Sequence, residues 1–213
     1  MNPDEILAQI ADEVSVCQKC SLHQSRKKSV PGVGPVNSEI MFIGEGPGFH
    51  ENEQGLPFVG AAGKFLDELL AQAGLARADV WIGNVVKCRP PENRDPLPDE
   101  LIACDQYLER QIAVINPKII VTLGRYSMGK FFPDARISAI HGQMRRSGDR
   151  FIIAMFHPAA ALHQAKLKPT ILADFAQLPA LLEKARTLLS AAVPARQVEP
   201  DEPHEDPKQL SLF

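Results

Sequence analysis

The sequence predicts an α/β protein, a three-layer α/β/α sandwich around a central, mainly parallel sheet of four strands. Three observations carry that expectation. Four apolar runs of strand length recur along the 213 residues, helical patterns lie between them, and each run is bounded by Gly, Pro or Asn, as buried parallel strands are.

Taken in order, the expected strands are Glu39 to Gly44, Val80 to Val86, Ile119 to Leu123 and Phe151 to Phe156. Between the first two, Lys64 to Ala73 places Phe65, Leu66, Leu69 and Leu70 on one side of a helix, and Gly74 is a natural stop. Pro98 and Asp99 open a second helix that runs toward Asn116, with Ile102, Tyr107, Ile112 and Ile115 expected in the core. Asp174 to Ser190 reads as one final amphipathic helix.

Composition sets the frame. The chain is 45% hydrophobic, yet no apolar run approaches the ~20 residues that a membrane span needs, so no membrane partner is expected. One globular body is expected over residues 1–192. Residues 193–213 read as a disordered, acidic, Pro-rich tail, holding Glu199, Asp201, Glu202, Glu205 and Asp206 against Arg196 and Lys208. With the tail set aside, the body has 21 basic and 21 acidic residues, so the formal charge of −3 does not exclude a nucleic-acid partner. Lys27 with Lys28, Arg145 with Arg146, and Lys166 with Lys168 form small basic clusters, which are also ordinary solvated surface.

Four cysteines, Cys17, Cys20, Cys88 and Cys104, make one four-ligand set. Zinc favours two local pairs, whereas here only Cys17 and Cys20 are close in sequence, so scattered thiolates suit an iron-sulfur cluster better. Two disulfides or four unrelated buried thiols are the competing readings. The polar, acidic opening Met1 to Gln9 is not a signal peptide, so a reducing cytoplasm is expected and disulfides are disfavoured.

Ligands bind beyond the carboxyl ends of strands in open α/β sheets. Here the first run ends in Gly44-Glu45-Gly46-Pro47-Gly48, the second holds Gly83-Asn84, and the fourth meets His157-Pro158. A carboxylate, an amide and an imidazole are thus expected on one sheet edge. The glycine-rich turn lacks the dinucleotide fingerprint, since Phe49 and His50 stand where a further glycine and a helix start are required.

Gly44 to Gly48, Glu51, Gly55-Leu56-Pro57-Phe58-Val59-Gly60 and Ala62-Gly63 together resemble the first motif of the family-4 uracil-DNA glycosylases. Phe156-His157-Pro158-Ala159-Ala160 resembles the second motif, and Asn84 falls where that family has its uracil-reading asparagine. The resemblance covers most of the chain from Cys17 to the last helix. It implies that Cys17, Cys20, Cys88 and Cys104 ligate a 4Fe-4S cluster, and that the substrate is uracil in single- or double-stranded DNA, released to leave an abasic site.

By the same resemblance, Phe58 stacks on the extruded base, Asn84 reads its edge, and His157 stabilises the departing uracil anion. Gly46 allows close backbone approach. Glu45 and Glu51 are the carboxylates available to oppose the cationic sugar or orient water, and the resemblance favours Glu45 near the reacting centre, with Glu51 the alternative wall at ring position 5. Certain similar proteins trap the abasic site through a histidine after the third cysteine. The loop Arg89 to Pro96 has none, so ordinary turnover is expected.

The ending Gln209-Leu210-Ser211-Leu212-Phe213 resembles the short peptides that dock on bacterial polymerase sliding clamps, implying a bacterial cytoplasm. Nothing suggests more than a monomer. A different class of function, a catalytically inert iron-sulfur protein tethered to the clamp, competes with the enzyme. The joint presence of Glu45, Asn84 and His157 favours the enzyme, because binding alone does not require them.

Overall fold

The structure is a computed structural model and describes residues 1–191. The elements run α1 (Pro3–Val16), β1 (Ile40–Gly44), α2 (Phe49–Gln54), α3 (Ala61–Gln72), β2 (Trp81–Asn84), α4 (Pro98–Ile115), β3 (Ile119–Leu123), α5 (Arg125–Phe131), α6 (Ile137–Ile140), β4 (Met144–Ser147), β5 (Arg150–Met155), α7 (Pro158–His163), α8 (Lys168–Ala176) and α9 (Leu178–Ala191). The sheet has the order β2-β1-β3-β5-β4, parallel throughout except for the β4–β5 pair.

Alternating residues of each strand enter different layers, because side chains point to opposite faces with period two. Phe42, Ile82, Val121 and Ile153 join Leu66, Leu69, Phe175 and Leu182 from α3, α8 and α9. On the other face Met41, Ile43, Ile120 and Ile152 pack with Leu108, Ile112 and Ile115 of α4. α1 adds Ile10 and Val14 to a third cluster that contains Val86, Cys88, Cys104 and Tyr107. Asn2 caps α1, its side chain accepting from the Glu5 N–H while the Glu5 carboxylate accepts from the Asn2 N–H.

Three expectations need correction, and one helix was not expected. The sheet has five strands, and the missed one, β4, is Met-Arg-Arg-Ser at the edge, largely exposed and therefore without an apolar run. Its Arg145 and Arg146 also deter edge-to-edge pairing. Ile102 is 76% exposed rather than core, because it lies off the stripe formed by Cys104, Leu108, Gln111 and Ile115. The expected final helix is two helices broken at Gln177, since Pro179 has no N–H to donate and its ring crowds the carbonyl four residues back. α1 itself lay outside the sequence reading.

β1 lies between β2 and β3, so the chain leaves it to one side for β2 and crosses back to the other for β3. The loops after β1, β2 and β5 therefore open at the same end of the sheet. No helix among the described residues is long and apolar enough to cross a membrane.

Candidate active site

At that end lies a cavity of about 580 Å³ whose walls include Glu45, Gly46, Glu51, Phe58, Asn84 and His157. Residues far apart in sequence thus meet in one space. Each is held by its own local device.

Asn84 ends β2 directly across from Gly44 in the parallel register, and it is only 2% exposed. Its backbone carbonyl accepts from the buried Lys87 ammonium at 2.9 Å, which also donates to Gln111 at 2.8 Å. Burial lowers the Lys87 pKa to about 8. The Asn84 carboxamide opens into the cavity.

Phe58 has φ +52, a left-handed conformation that a non-glycine residue adopts at a cost of order 1–3 kcal/mol. That backbone leaves its ring beside His157, with centroids 5.4 Å apart and planes within 25°. Gly63 makes the bend possible, because a Cβ there would run into the Phe58 carbonyl. Gly44 performs a similar service beneath the ring: a Cβ on it would lie 2.5 Å from Asn84 Oδ1 and 2.7 Å from Phe58 Cζ.

His157 precedes α7 and caps it, its Nδ1 accepting from the Ala159 N–H at 3.1 Å. An accepting Nδ1 carries no proton, so in the neutral ring the proton sits on Nε2. Burial lowers the His157 pKa to about 4, against an opposing pull from Glu51, and the ring is neutral at ordinary pH.

Glu51 is engaged by backbone donors. It accepts from Val59 N–H and Gly60 N–H at 2.9 Å each and from Gly48 N–H at 3.1 Å, pinning the loop that carries Phe58 to the start of α2. Glu45 differs. Its carboxyl is raised above the ordinary range by burial first, then by the nearby Asp95 charge, with Arg125 pulling the other way.

Asp95 and Asn93 line the same cavity, although the sequence marks them only as members of the loop Arg89 to Pro96. Asp95 pairs with Arg125 on α5, which holds its own carboxyl low. Its role depends on a tertiary neighbour, so no local motif signals it. Gly44 likewise belongs to the first motif, but its function becomes visible only with Asn84 and Phe58 around it.

A second recess is ringed by Cys17, Cys20, Cys88 and Cys104, together with Tyr107, Leu22 and His23. All four thiols are free. Among the described residues, no three Cys, His, Asp or Glu side chains converge as they must around a single metal ion. The sulfurs instead surround a shared space, with the Lys87 N–H directed at Cys104 Sγ (3.3 Å) and Arg26 approaching Cys88 Sγ (3.5 Å). Burial pushes the Cys104 thiol up to about 11 and also raises Cys20 and Cys88, so any metal binding here releases protons. Gln209, Leu210, Ser211, Leu212 and Phe213 lie outside the described residues.

Residues 31–178 match the family described as the Uracil DNA glycosylase superfamily. A type-4 uracil-DNA glycosylase of Archaeoglobus fulgidus is 44% identical over 194 residues, covering 87% of this chain and 98% of the relative. The chain belongs to the type-4 uracil-DNA glycosylases. Another type-4 uracil-DNA glycosylase, from Saccharolobus solfataricus, is 47% identical over 191 residues, 84% of this chain and 88% of its own. The bacterial type-4 uracil-DNA glycosylase of Thermotoga maritima is 40% identical over 187 residues, 85% of this chain and 97% of its own.

Proposed function

We propose that the protein is a monofunctional uracil-DNA glycosylase of base excision repair, hydrolysing the N-glycosidic bond of deoxyuridine in single- or double-stranded DNA. The observation that carries this reading is the single cavity lined jointly by Glu45, Phe58, Asn84 and His157. A duplex base must leave the stack to reach such a cavity, at a cost of a few kcal/mol.

Within it, Phe58 offers a face for the extruded ring. The Asn84 carboxamide donates to the carbonyl at ring position 4 and accepts from the N–H at position 3. Cytosine reverses that pattern and leaves buried groups unpaired. As the bond breaks, negative charge grows on the base and positive charge on the sugar. The neutral His157 ring, with its proton on Nε2, is suited to donate to the second carbonyl oxygen.

Glu45 lines the cavity, and backbone donors engage neither of its carboxylate oxygens among the described residues; this supports its assignment as the carboxylate that opposes the sugar cation and orients water. Glu51 acts chiefly by holding the Phe58 loop, and the family resemblance adds that it walls the cavity where a thymine methyl would enter. Gly46 lines the cavity with backbone alone, and its missing side chain lets that backbone lie against Val86, since a Cβ there would meet Val86 Cγ2 at 2.8 Å.

Cys17, Cys20, Cys88 and Cys104 would hold a 4Fe-4S cluster, a group that supplies no step of a hydrolysis and ties the N-terminal segment to the loop after β2. The reading extends to a monomer in a bacterial cytoplasm, tethered by residues 193–213 to a sliding clamp through Gln209, Leu210, Ser211, Leu212 and Phe213.

The test is a labelled oligonucleotide with one uracil. Wild-type protein creates an alkali-sensitive site, and Glu45→Gln or Asn84→Ala slows this by about 10²–10⁴-fold. Wild-type rates in either variant would reject the assignment. Deleting residues 209–213 abolishes clamp binding and leaves cleavage of short DNA as it was; unchanged clamp affinity would reject the docking peptide.

A further inference from the structure

We propose that Phe49 and Arg89 form a second nucleotide-binding surface at the cavity mouth, a stacking platform for an unpaired base next to the extruded one. This rests on the uracil-DNA reading above. Phe49 is the first residue of α2, immediately after the cavity-lining Gly48, and the residue is 53% exposed. The Arg89 guanidinium lies over that ring, 5.3 Å from its centroid. Two segments from different strand ends, one after β1 and one after Cys88, thus meet in a cationic and aromatic surface.

The surface is tied to the cavity. Arg89 Nε donates to Asn93 Oδ1 at 2.8 Å, and Asn93 lines the cavity wall. Glu92 and Asn93 are consecutive left-handed residues, with φ of 54° and 55°. Asparagine tolerates that conformation and glutamate gains nothing from it, so the turn stores strain of order 1–3 kcal/mol. A loop that had only to connect β2 to α4 has no need of such strain. Here it delivers Asn93 to the cavity and leaves the Arg89 guanidinium over the Phe49 ring.

Among the described residues, only Nε of the Arg89 guanidinium is hydrogen-bonded. Its remaining N–H groups are therefore available to a backbone phosphate, while the part of the Phe49 ring that Arg89 leaves uncovered takes a base. Stacking of one base on an aromatic side chain is worth roughly 1–3 kcal/mol and tolerates any sequence. A neighbour base in a duplex already has stacking partners, so the surface favours single-stranded DNA.

The experiment compares wild type, Phe49→Ala and Phe49→Tyr on one uracil oligonucleotide, single-stranded and annealed, by the enzyme concentration that half-saturates single-turnover release. Phe49→Ala raises that concentration on the single strand by about 5- to 150-fold, the equivalent of that stacking energy. Phe49→Tyr restores it, and the duplex value changes by less than about threefold. A single-strand value unchanged in Phe49→Ala, or equal losses on both substrates, would overturn the platform. Failure of the wild type to release uracil would overturn the glycosylase reading instead. Fluorescence anisotropy with a uracil-free single strand then still decides the platform, equal affinities of wild type and Phe49→Ala counting against it.

Discussion

Gly44→Ala puts the packing of the cavity floor to a direct test. The residue ends β1 with ordinary strand dihedrals, so alanine is acceptable to its backbone, and the added methyl is the whole perturbation. That methyl would sit 2.5 Å from Asn84 Oδ1 and 2.7 Å from Phe58 Cζ, so both must withdraw by most of an ångström to regain ordinary contact near 3.4 Å. They cannot easily do so, since Asn84 is 2% and Phe58 6% exposed. Overpacking of this kind costs roughly 1–3 kcal/mol of stability. Misplacing catalytic groups by about 1 Å costs on the order of 10²-fold in rate, or about 2.7 kcal/mol of barrier. The protein should therefore remain folded while kcat/KM for uracil release falls about a hundredfold. Gly129→Ala is the control, because a Cβ there meets nothing and α5 gains a better helix former. Activity of Gly44→Ala within about threefold of wild type would refute the idea that Asn84 and Phe58 depend on this glycine.

Two further outcomes concern charge and metal. Activity should rise with pH as Glu45 ionises, with a midpoint above the usual carboxylate value, because burial and Asp95 both favour the protonated form. Asp95→Asn removes the like charge and releases Arg125, so the midpoint of the kcat profile should move down, and a stationary midpoint would rule out that coupling. No His157 limb is expected between about pH 5 and 8, since its pKa is lowered to about 4. Its contribution to folding has a defined sign: the unfolded histidine binds a proton between about pH 6.5 and 4 while the folded one does not, so stability on this account falls as pH drops through that window. Cys104→Ser should strip bound iron, remove absorbance near ~400 nm and lower the unfolding temperature; full iron content in that variant would refute the ligand assignment.

The extent to which the sequence foretold the molecule follows its physics. The strands that became β1, β2, β3 and β5 were legible because sheet strands covered on both faces must be apolar throughout. β4 was not, since an exposed edge strand built from Met144, Arg145, Arg146 and Ser147 satisfies the ladder without hydrophobic content. The break at Gln177 was legible in principle from Pro179, and Ile102 could have been excluded by counting its phase against Leu108 and Ile115. Motifs named Glu45, Phe58, Asn84 and His157, and the fold gathers them. What no local pattern could reveal were relations made by tertiary structure: Asp95 raising Glu45, three backbone N–H groups occupying Glu51, and the left-handed turn at Phe58.

The helix-capping bond at His157 divides labour within the cavity. With one ring nitrogen already accepting from Ala159, the imidazole cannot flip without uncapping α7, so the nitrogen left over can give a hydrogen bond and has no lone pair to offer. In the proposed chemistry, taking a proton from water then falls to a carboxylate of the same cavity, and the two tasks are kept from trading places by the cap of one short helix.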